Sequence, residues 1–583
     1  MTAASISKSD AYAPFGVALL LTVVTLIAAT PFSIGLWDEI YYISWINDPN
    51  AYDALVHPFG LLLHPIYAAL GRSLIALRLF GIALLIGTGA IMGAAIERYY
   101  RVVAPDARLA LLPIAGALAG TLYYVLWAVT PSYNMLANAG AALVLAGMFG
   151  WAAHDRGSRT RDWLPSLYCG FGGALAFLGK PTFAVLAGAF VALQLLVLAR
   201  RDLRTALTRG SIAGVAAIVP VLISILSVMS LPTFFDRVKA GVAVLSSDYS
   251  TFSLVAQTLG SVIHAPPYLF VAIAVLAASV IAAARSLKSS EHRSSKIFLA
   301  LNAAALLLDA AMFALLLRRG LVYGTDPWTI AIGTPVVGML LATFGAGVTL
   351  NPAILRAPTR YVPILLLTVV PYLVAFGTAN DLLRQAGMSL FPVLIAAVLC
   401  VRLCFPQTMA RLAELAWIAL CLVLLAWSAY RPYNQPSPVF AATEMLDAPF
   451  TRSRLRVDAA TAAYARDLQQ LARKEGIGAS TPVLDLSGVA PGTVALLGAR
   501  APFFPWMIHF SKQPGILAAA AWESMTPEER KRAWIVGPID PRFTEHPAIA
   551  RLARSGGYRR AAVLRYGPAP EHPPVIFWAP TGS

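Results

Sequence analysis

Residues 15–42 read FGVALLLTVVTLIAATPFSIGLWDEIYY. The stretch opens with a run of apolar residues free of charge, and such a run of about 20 crosses a bilayer core as a helix. It closes on Trp37-Asp38-Glu39-Ile40-Tyr41-Tyr42, an acidic pair flanked by aromatic residues. Only a short polar start with Lys8 precedes it, the run is long for a signal peptide, and no small-x-small cleavage pattern follows. It therefore reads as a retained first membrane helix.

The rest of the chain repeats the pattern. Hydrophobic residues make up 58% of the 583 residues, charged residues 13%, and the mean hydropathy is +0.68. A soluble fold of this size has no interior large enough to hide that much apolar surface. Spans are expected near 15–36, 73–95, 109–128, 134–153, 164–179, 183–199, 211–230, 267–284, 297–317, 328–349, 361–379, 387–403 and 411–430. The expected fold class is an α-helical polytopic membrane protein with about thirteen transmembrane helices and a C-terminal extracytoplasmic α/β domain. Its domains are 1–430 for the bundle and 431–583 for the tail. Cys169, Cys400, Cys404 and Cys421 all lie in apolar runs and read as packing residues.

Charge gives the bundle a direction. With the N-terminus in the cytoplasm, the loops facing inward hold Arg98, Arg101 and Arg108, then Arg156, Arg159 and Arg161, then Arg200, Arg201, Arg204 and Arg209. They continue with Arg285, Lys288, Arg293, Lys296, Arg356, Arg360, Arg402 and Arg411. The opposite loops hold chiefly Arg72, Arg78, Arg237, Lys239, Arg318, Arg319 and Arg384. This positive-inside pattern accounts for the net charge of +16 without nucleic acid. It puts the tail outside the cytoplasm. The abundance of Ala and Arg points to a bacterial inner membrane, hence a multi-pass protein with a periplasmic C-terminal domain.

In the tail, residues near 458–475 carry a helical period (Ala459, Ala462, Ala463, Leu468, Leu471, Ala472). Strand-like runs follow at Val483–Leu486, Trp534–Val536, Ala562–Leu564 and Val575–Trp578. A linker rich in Pro and polar residues, Arg431 to Pro438, separates tail from bundle. The tail is read as a lid, an acceptor-docking unit or a structural cap.

The first outward loop, Trp37 to Arg72, is the richest in chemistry. Its acidic pair is either interfacial solvation beside an aromatic belt or a catalytic element. His57-Pro58-Phe59-Gly60-Leu61 and His64-Pro65 follow, and Leu77-Arg78-Leu79-Phe80-Gly81 opens the second span.

In this order the elements resemble the C-type glycosyltransferases, membrane enzymes that use polyprenyl-phosphate sugars. The protein O-mannosyltransferases and the lipid A aminoarabinose transferases are nearest in pattern. Asp38-Glu39-x-x-Tyr42 matches their D-E-x-x-Y element, and His57-Pro58-x-x-Leu61 resembles their H-P-P-L element with Phe59 in place of the second proline. The resemblance implies a C-type glycosyltransferase fold and an inverting transfer from a polyprenyl-phosphate sugar donor to a hydroxyl of a glycan, glycolipid or protein acceptor. It implies Asp38 as general base, with Glu39 as the other candidate or as the holder of a nearby loop. Tyr42, His57, His64 and Asn380 are expected to bind substrate.

Basic residues on the outward side are the expected ligands of the donor phosphate. Lys180, in Leu178-Gly179-Lys180-Pro181-Thr182, is one, matching Lys-Pro elements of the resembling family; the alternative is a snorkelling lysine. Arg318 and Arg319 are either phosphate ligands or a basic helix end. Arg384 is either a ligand or the partner of Asp381. Asp309, inside the ninth span, is protonated, paired or faces a cavity. Asn134 and Asn138 share one helix face and suit interhelical hydrogen bonding or substrate contact. The outward segment from Leu231 to Pro266, with Lys239, Asp248, Tyr249 and His264, is expected to help enclose substrates. No compact metal-ligand set stands out beyond Asp38, Glu39, His57 and His64, so no obligatory metal or cofactor is expected, and the chain is expected to be a monomer. The rival readings are a secondary transporter or flippase of envelope lipids or sugars, for which Asp309 speaks, and a non-catalytic scaffold.

Overall fold

A computed structural model describes residues 8–107, 109–126, 129–156, 163–248, 251–287, 295–323, 331–377, 380–506, 508, 514–537, 547–554, 557–568 and 574–581. Arg108, Arg159, Arg161, Tyr249, Lys288 and Arg293 lie outside the described residues.

The chain is an α-helical multi-pass membrane protein. The helices of the bundle are α1 (Lys8–Ala29), α2 (Asp38–Asn47), α3 (Phe59–Ala69), α4 (Leu74–Val103), α5 (Leu112–Thr121), α6 (Tyr133–His154), α7 (Trp163–Gly179), α8 (Pro181–Ala199) and α9 (Leu203–Leu226). They continue with α10 (Leu231–Asp248), α11 (Thr251–Ile263), α12 (Pro267–Ser286), α13 (Ser295–Tyr323), α14 (Gly333–Leu350), α15 (Pro358–Ala375), α16 (Leu382–Ala386), α17 (Phe391–Cys404) and α18 (Gln407–Tyr430). Among the described residues, ten are long and apolar enough to cross a membrane; the pair Leu382–Ser389 and Phe391–Cys404, bent by 72°, makes eleven if counted as one span. This corrects the expected count of about thirteen. The other two expected spans are the shorter apolar helices Leu112–Val125 and Trp163–Gly179.

Both shorter helices nevertheless run end to end against a longer neighbour, and glycine explains how. A methyl group added at Gly89, Gly93 or Gly120 would lie 2.2 Å from Gly116 O, 2.1 Å from Leu112 O or 2.3 Å from Leu85 O. Rising numbers on α4 meet falling numbers on α5, so the pair is antiparallel and nearly backbone on backbone. Between α6 and α7, a methyl group added at Gly140, Gly147 or Gly179 would lie 2.6 Å from Gly172 O, 2.5 Å from Pro165 O or 2.6 Å from Tyr133 O. Small residues make this approach possible where lipid supplies no hydrophobic drive between helices.

The bundle has two unlike ends. At one, arginines pair with carboxylates: Arg101 with Glu97, Arg209 with Asp155 and Arg402 with Glu414. At the other lie Thr130, Tyr133, Gly179, Ala375 and α2, together with the tail. The four cysteines are buried and free. In the apolar interior, Asp309 of α13 is fully buried against Gly338 of α14, with neither oxygen hydrogen-bonded among the described residues. The segment from Leu231 to Pro266 is not an open loop but the helices α10 and α11.

The tail is an α/β unit. Its helix α19 (Ala459–Glu475) starts at Asp458, whose carboxylate accepts from Thr461 N, and stops at Gly476 in the left-handed region (φ 70°). Strands β3 (Val483–Asp485), β4 (Trp534–Gly537), β5 (Tyr558–Leu564) and β6 (Val575–Pro580) form a sheet in the order β3-β4-β6-β5, parallel only between β3 and β4. A hairpin of β1 (Glu444–Asp447) and β2 (Arg454–Val457) was not expected; its strands are four residues long and rich in charge.

The tail is not a pendant. Arg456 N donates to Pro31 O and Ser33 N to Arg456 O, Gly492 N donates to Leu36 O, and Tyr67 Oη donates to Phe450 O. One apolar core continues from Leu61, Tyr67 and Ile82 into Leu468, Val483 and Phe577. The segment Arg431–Pro438 is likewise no free linker: the Ser33 hydroxyl bonds Gln435.

Gly140→Val should force α6 and α7 apart at a cost of about 1–3 kcal/mol. The thermal midpoint of the solubilised protein should fall by several degrees; an unchanged midpoint would contradict the close-packing account.

Candidate active site at the tail end of the bundle

The site begins with a buried ion pair. Glu39 and Arg78 side chains are 4% and 1% exposed, with Arg78 Nη2 3.3 Å from Glu39 Oε1. The same carboxylate accepts from Gly35 N (2.7 Å) and Thr130 N (3.0 Å). Arg78 spends its other donors on Thr30 O, Phe32 O, Ser33 O and Thr130 Oγ1. Five bonds from one guanidinium thus fold the turn after α1 around the start of α4. Ser33, in the left-handed region (φ 62°), lets its carbonyl face Arg78. Both oxygens of Glu39 are thus occupied in holding this turn.

Asp38, its neighbour, is left free. It sits in the first turn of α2, where the helix dipole favours an anion. Among the described residues it makes no hydrogen bond or ion pair. Burial, and then the charge of Glu39, push its carboxyl up to about 6.

An aromatic wall surrounds it. Tyr42 meets Tyr133 edge to face at 5.7 Å, and His57 stacks on Tyr133 at 4.1 Å and 14°. The Tyr41 hydroxyl lies 3.3 Å from His57 Nδ1. Burial, with a further push from Lys180, holds His57 down at about 3, so it is neutral near pH 7. Tyr433, from the segment after α18, completes the wall: burial and the charge of Asp38 raise its phenol, while Arg384 lowers it. The left-handed turn at Asn434 (φ 53°) follows it, a conformation Asn tolerates.

Lys180 arrives from the break between α7 and α8. Pro181 bars the preceding residue from helical geometry, and Lys180 is extended (φ −131°, ψ 98°). Its side chain turns inward, 3% exposed, with Nζ donating to Val374 O (3.3 Å) and lying 5.7 Å from the Tyr133 ring centre. Among the described residues no carboxylate pairs with it, and burial pulls its amine down to about 7. Gly377, in the left-handed region (φ 77°), closes the opposing turn: a Cβ there would lie 2.5 Å from Thr182 Cβ.

Arg384 supplies the second cation. Asp381 caps its helix by accepting from Arg384 N, and no ion pair joins the two side chains. Its Nε is buried without a hydrogen-bond partner among the described residues. Asn380 Nδ2 donates to Gln385 Oε1, and Gln385 Nε2 donates to Asn134 Oδ1, locking the Arg384 turn to α6 beside Tyr133.

The structure thus gathers Asp38, Tyr42, His57, Lys180 and Arg384 around Tyr133 and Tyr433, with Asn380 behind them. It does not bring in His64, whose Nδ1 bonds Ile46 O and fastens α3 to α2. Arg318 and Arg319 are exposed on α13. Among the described residues, no group of three or more His, Cys, Asp or Glu side chains is placed to hold a metal. Sequence reasoning missed Tyr133, Tyr433 and Trp506, which lies edge to face with Tyr41 at 5.1 Å. The aromatic residue straight after a proline in Pro432-Tyr433 and Pro505-Trp506 was the available signal.

No protein-family model, curated protein or solved structure matches this chain.

Glu39→Gln or Arg78→Leu leaves its buried partner uncompensated, a loss of about 3–5 kcal/mol, and should lower the thermal midpoint sharply. Asp38→Asn should act in the opposite sense. Because the Asp38 carboxyl is raised in the folded state, its ionisation opposes folding fully above about pH 6 and not at all below its ordinary value near 3.8. The Asn variant should therefore melt above wild type at pH 8, and the difference should vanish near pH 4. A lower midpoint for Asp38→Asn at pH 8 would contradict this reading of Asp38.

Proposed function

We propose that the chain is an inverting glycosyltransferase of the C type. It moves a sugar from a polyprenyl-phosphate donor to an acceptor hydroxyl of a cell-envelope glycan, glycolipid or protein. One observation carries the reading: a carboxylate, Asp38, and two cations, Lys180 and Arg384, that have no oppositely charged partner among the described residues lie around the same tyrosines, Tyr133 and Tyr433, at one end of a membrane bundle. A structural ion-pair network would have paired them.

In this mechanism the acceptor oxygen attacks the anomeric carbon as the carbon–oxygen bond to phosphate breaks, and that electron pair leaves on the phosphate oxygen. Asp38 takes the hydroxyl proton. Lys180 and Arg384 bind the phosphate and stabilise its growing charge. Anion binding favours the charged amine of Lys180. Tyr42, Tyr133 and Tyr433 exclude water and present ring faces to the sugar. With the arginine-rich end in the cytoplasm, site and tail face the periplasm of a bacterial inner membrane, where lipid-phosphate sugars replace nucleotide sugars.

Asp38→Asn should lower transfer by at least about 10²-fold, and Lys180→Ala should raise the apparent KM for donor. For the free enzyme, kcat/KM should rise through about pH 6 as Asp38 ionises and fall above about pH 7 as Lys180 loses its proton. Lys180→Arg, which stays charged, should remove the alkaline limb. Full turnover by purified Asp38→Asn would refute the assignment of the base.

The second reading, a transporter or flippase of envelope lipids or sugars, is favoured by Asp309, a fully buried carboxylate with no hydrogen-bond partner among the described residues. Under that reading Asp309→Asn stops lipid translocation in proteoliposomes; under the transferase reading it leaves sugar transfer intact.

A further inference from the structure

The segment between the spans α9 and α12 carries a helix whose polarity is turned inside out. No charged residue lies between Asp248 and Arg285. The uncharged sequence thus starts well before the span α12 does at Pro267, and α11 (Thr251–Ile263) occupies the excess. Its 13 residues rise about 20 Å, short of the roughly 30 Å of a bilayer core. The helix is too short to cross, and it is tethered on either side to helices that do.

Val255, Leu259, Val262 and Ile263 of α11 are 45–71% exposed, and their helical spacing makes them one outward stripe. On the opposite side Ser261 is buried, with Thr258 half-buried beside it. A surface helix in water shows the reverse. The buried side has its own work: Ser261 Oγ donates to Gln257 O (3.0 Å) and accepts from Leu382 N (3.3 Å). Just past the helix, Ala265 and Leu269 pack with Leu383. Both contacts fall on α16, which carries Arg384 and is tied on another side to α6 through Gln385 and Asn134. The preceding helix α10 is graded differently, since Phe235 and Val242 share their exposed stripe with Lys239. That mix suits the headgroup layer, where a lysine stem lies along apolar surface while its amine stays in water.

We infer that α11 lies in the tail-side leaflet of the bilayer, with its apolar stripe among the acyl chains, and anchors the turn of Arg384 to the lipid. The exposed apolar residues run on from Ile263 into Phe270, Val271 and Ile273 of the span α12, and no charged residue sets α11 off from that span. An uncharged helix with this outward stripe fits a lipid surface, where the apolar side needs no protein cover. The side turned away from lipid must satisfy its polar groups within the protein, as Ser261 does. Arg384 is thereby held near the depth of the lipid headgroups. The inference concerns where α11 sits and what it holds, and it does not depend on the chemistry performed at the site.

The test uses the full-length protein in nanodiscs of phosphatidylethanolamine and phosphatidylglycerol, spin-labelled at Leu259→Cys or Val262→Cys. Labels at Ile218→Cys, exposed on α9, and Lys474→Cys, exposed on α19, mark lipid and water. The unsubstituted protein, whose four cysteines are buried, gives the background. At both α11 positions collision with molecular oxygen should exceed collision with a nickel chelate, as at Ile218, and the order should reverse at Lys474. Collision dominated by the nickel chelate puts the stripe in water and overturns the inference. Immobile labels shielded from both reagents put it against a second copy or another protein, which overturns the inference as well. Anchoring is read by hydrogen exchange in the same nanodiscs. Leu259→Lys should speed exchange of residues 382–386 at least tenfold and leave α19 unchanged, whereas Leu259→Met should change neither. Thermal midpoints check that the variants fold; if Leu259→Lys does not, Leu259→Gln carries the comparison. Unchanged exchange in the folded variant overturns the anchoring.

Discussion

The contact between Arg78 and Glu39 is the constraint on which the rest of this end of the molecule depends. A guanidinium at 1% exposure in the first turns of a membrane helix is tolerated only if its charge is met and its donors are filled. Glu39 meets the charge, and three carbonyls of the turn after α1 and the Thr130 hydroxyl fill the rest. That turn is also where the tail docks, through Pro31, Ser33 and Leu36. A single buried pair thus fixes the entry of α2, the loop before α6 and the seat of the tail.

Commitment of Glu39 is what frees Asp38. The two carboxylates are adjacent, yet one is saturated with donors and the other has none. Burial raises the proton affinity of the second, and charge from the first raises it further. Across the aromatic wall, Lys180 is depressed by the same burial. The site therefore holds an acid and a base whose protonation states lie close to neutrality, held apart by Tyr133 rather than neutralised as a salt bridge. An arrangement of this kind costs stability and is suited to binding a charged group between its halves.

How much of this was legible in the sequence follows from what each residue depends on. Spans depend on local composition, so their positions could be read, although Leu112–Val125 and Trp163–Gly179 were too short to be distinguished from full spans by eye. Asp38, Tyr42 and His57 sit within one short stretch, and Lys180 is marked by its proline. Glu39 and Asp38 could not be told apart, because the difference lies in Arg78, Gly35 and Thr130, contacts across 4 to 91 positions of chain. Tyr433 and Trp506, marked only by the prolines before them, could not be placed for the same reason: they reach the site only once the tail folds back on α2. Arg318 and Arg319 carried a charge signal, but their exposed faces on α13 depend on helix rotation that charge spacing does not specify.

The central claim is that Asp38, Lys180 and Arg384 surround one lipid-linked sugar phosphate. A cryo-electron microscopy structure of the protein with a non-hydrolysable polyprenyl-phosphonate sugar tests it most directly. The account predicts the phosphonate between Lys180 Nζ and the Arg384 guanidinium, with the anomeric carbon facing the Asp38 carboxylate. Density for the phosphonate at the arginine-rich end of the bundle, or beside Asp309, would contradict it.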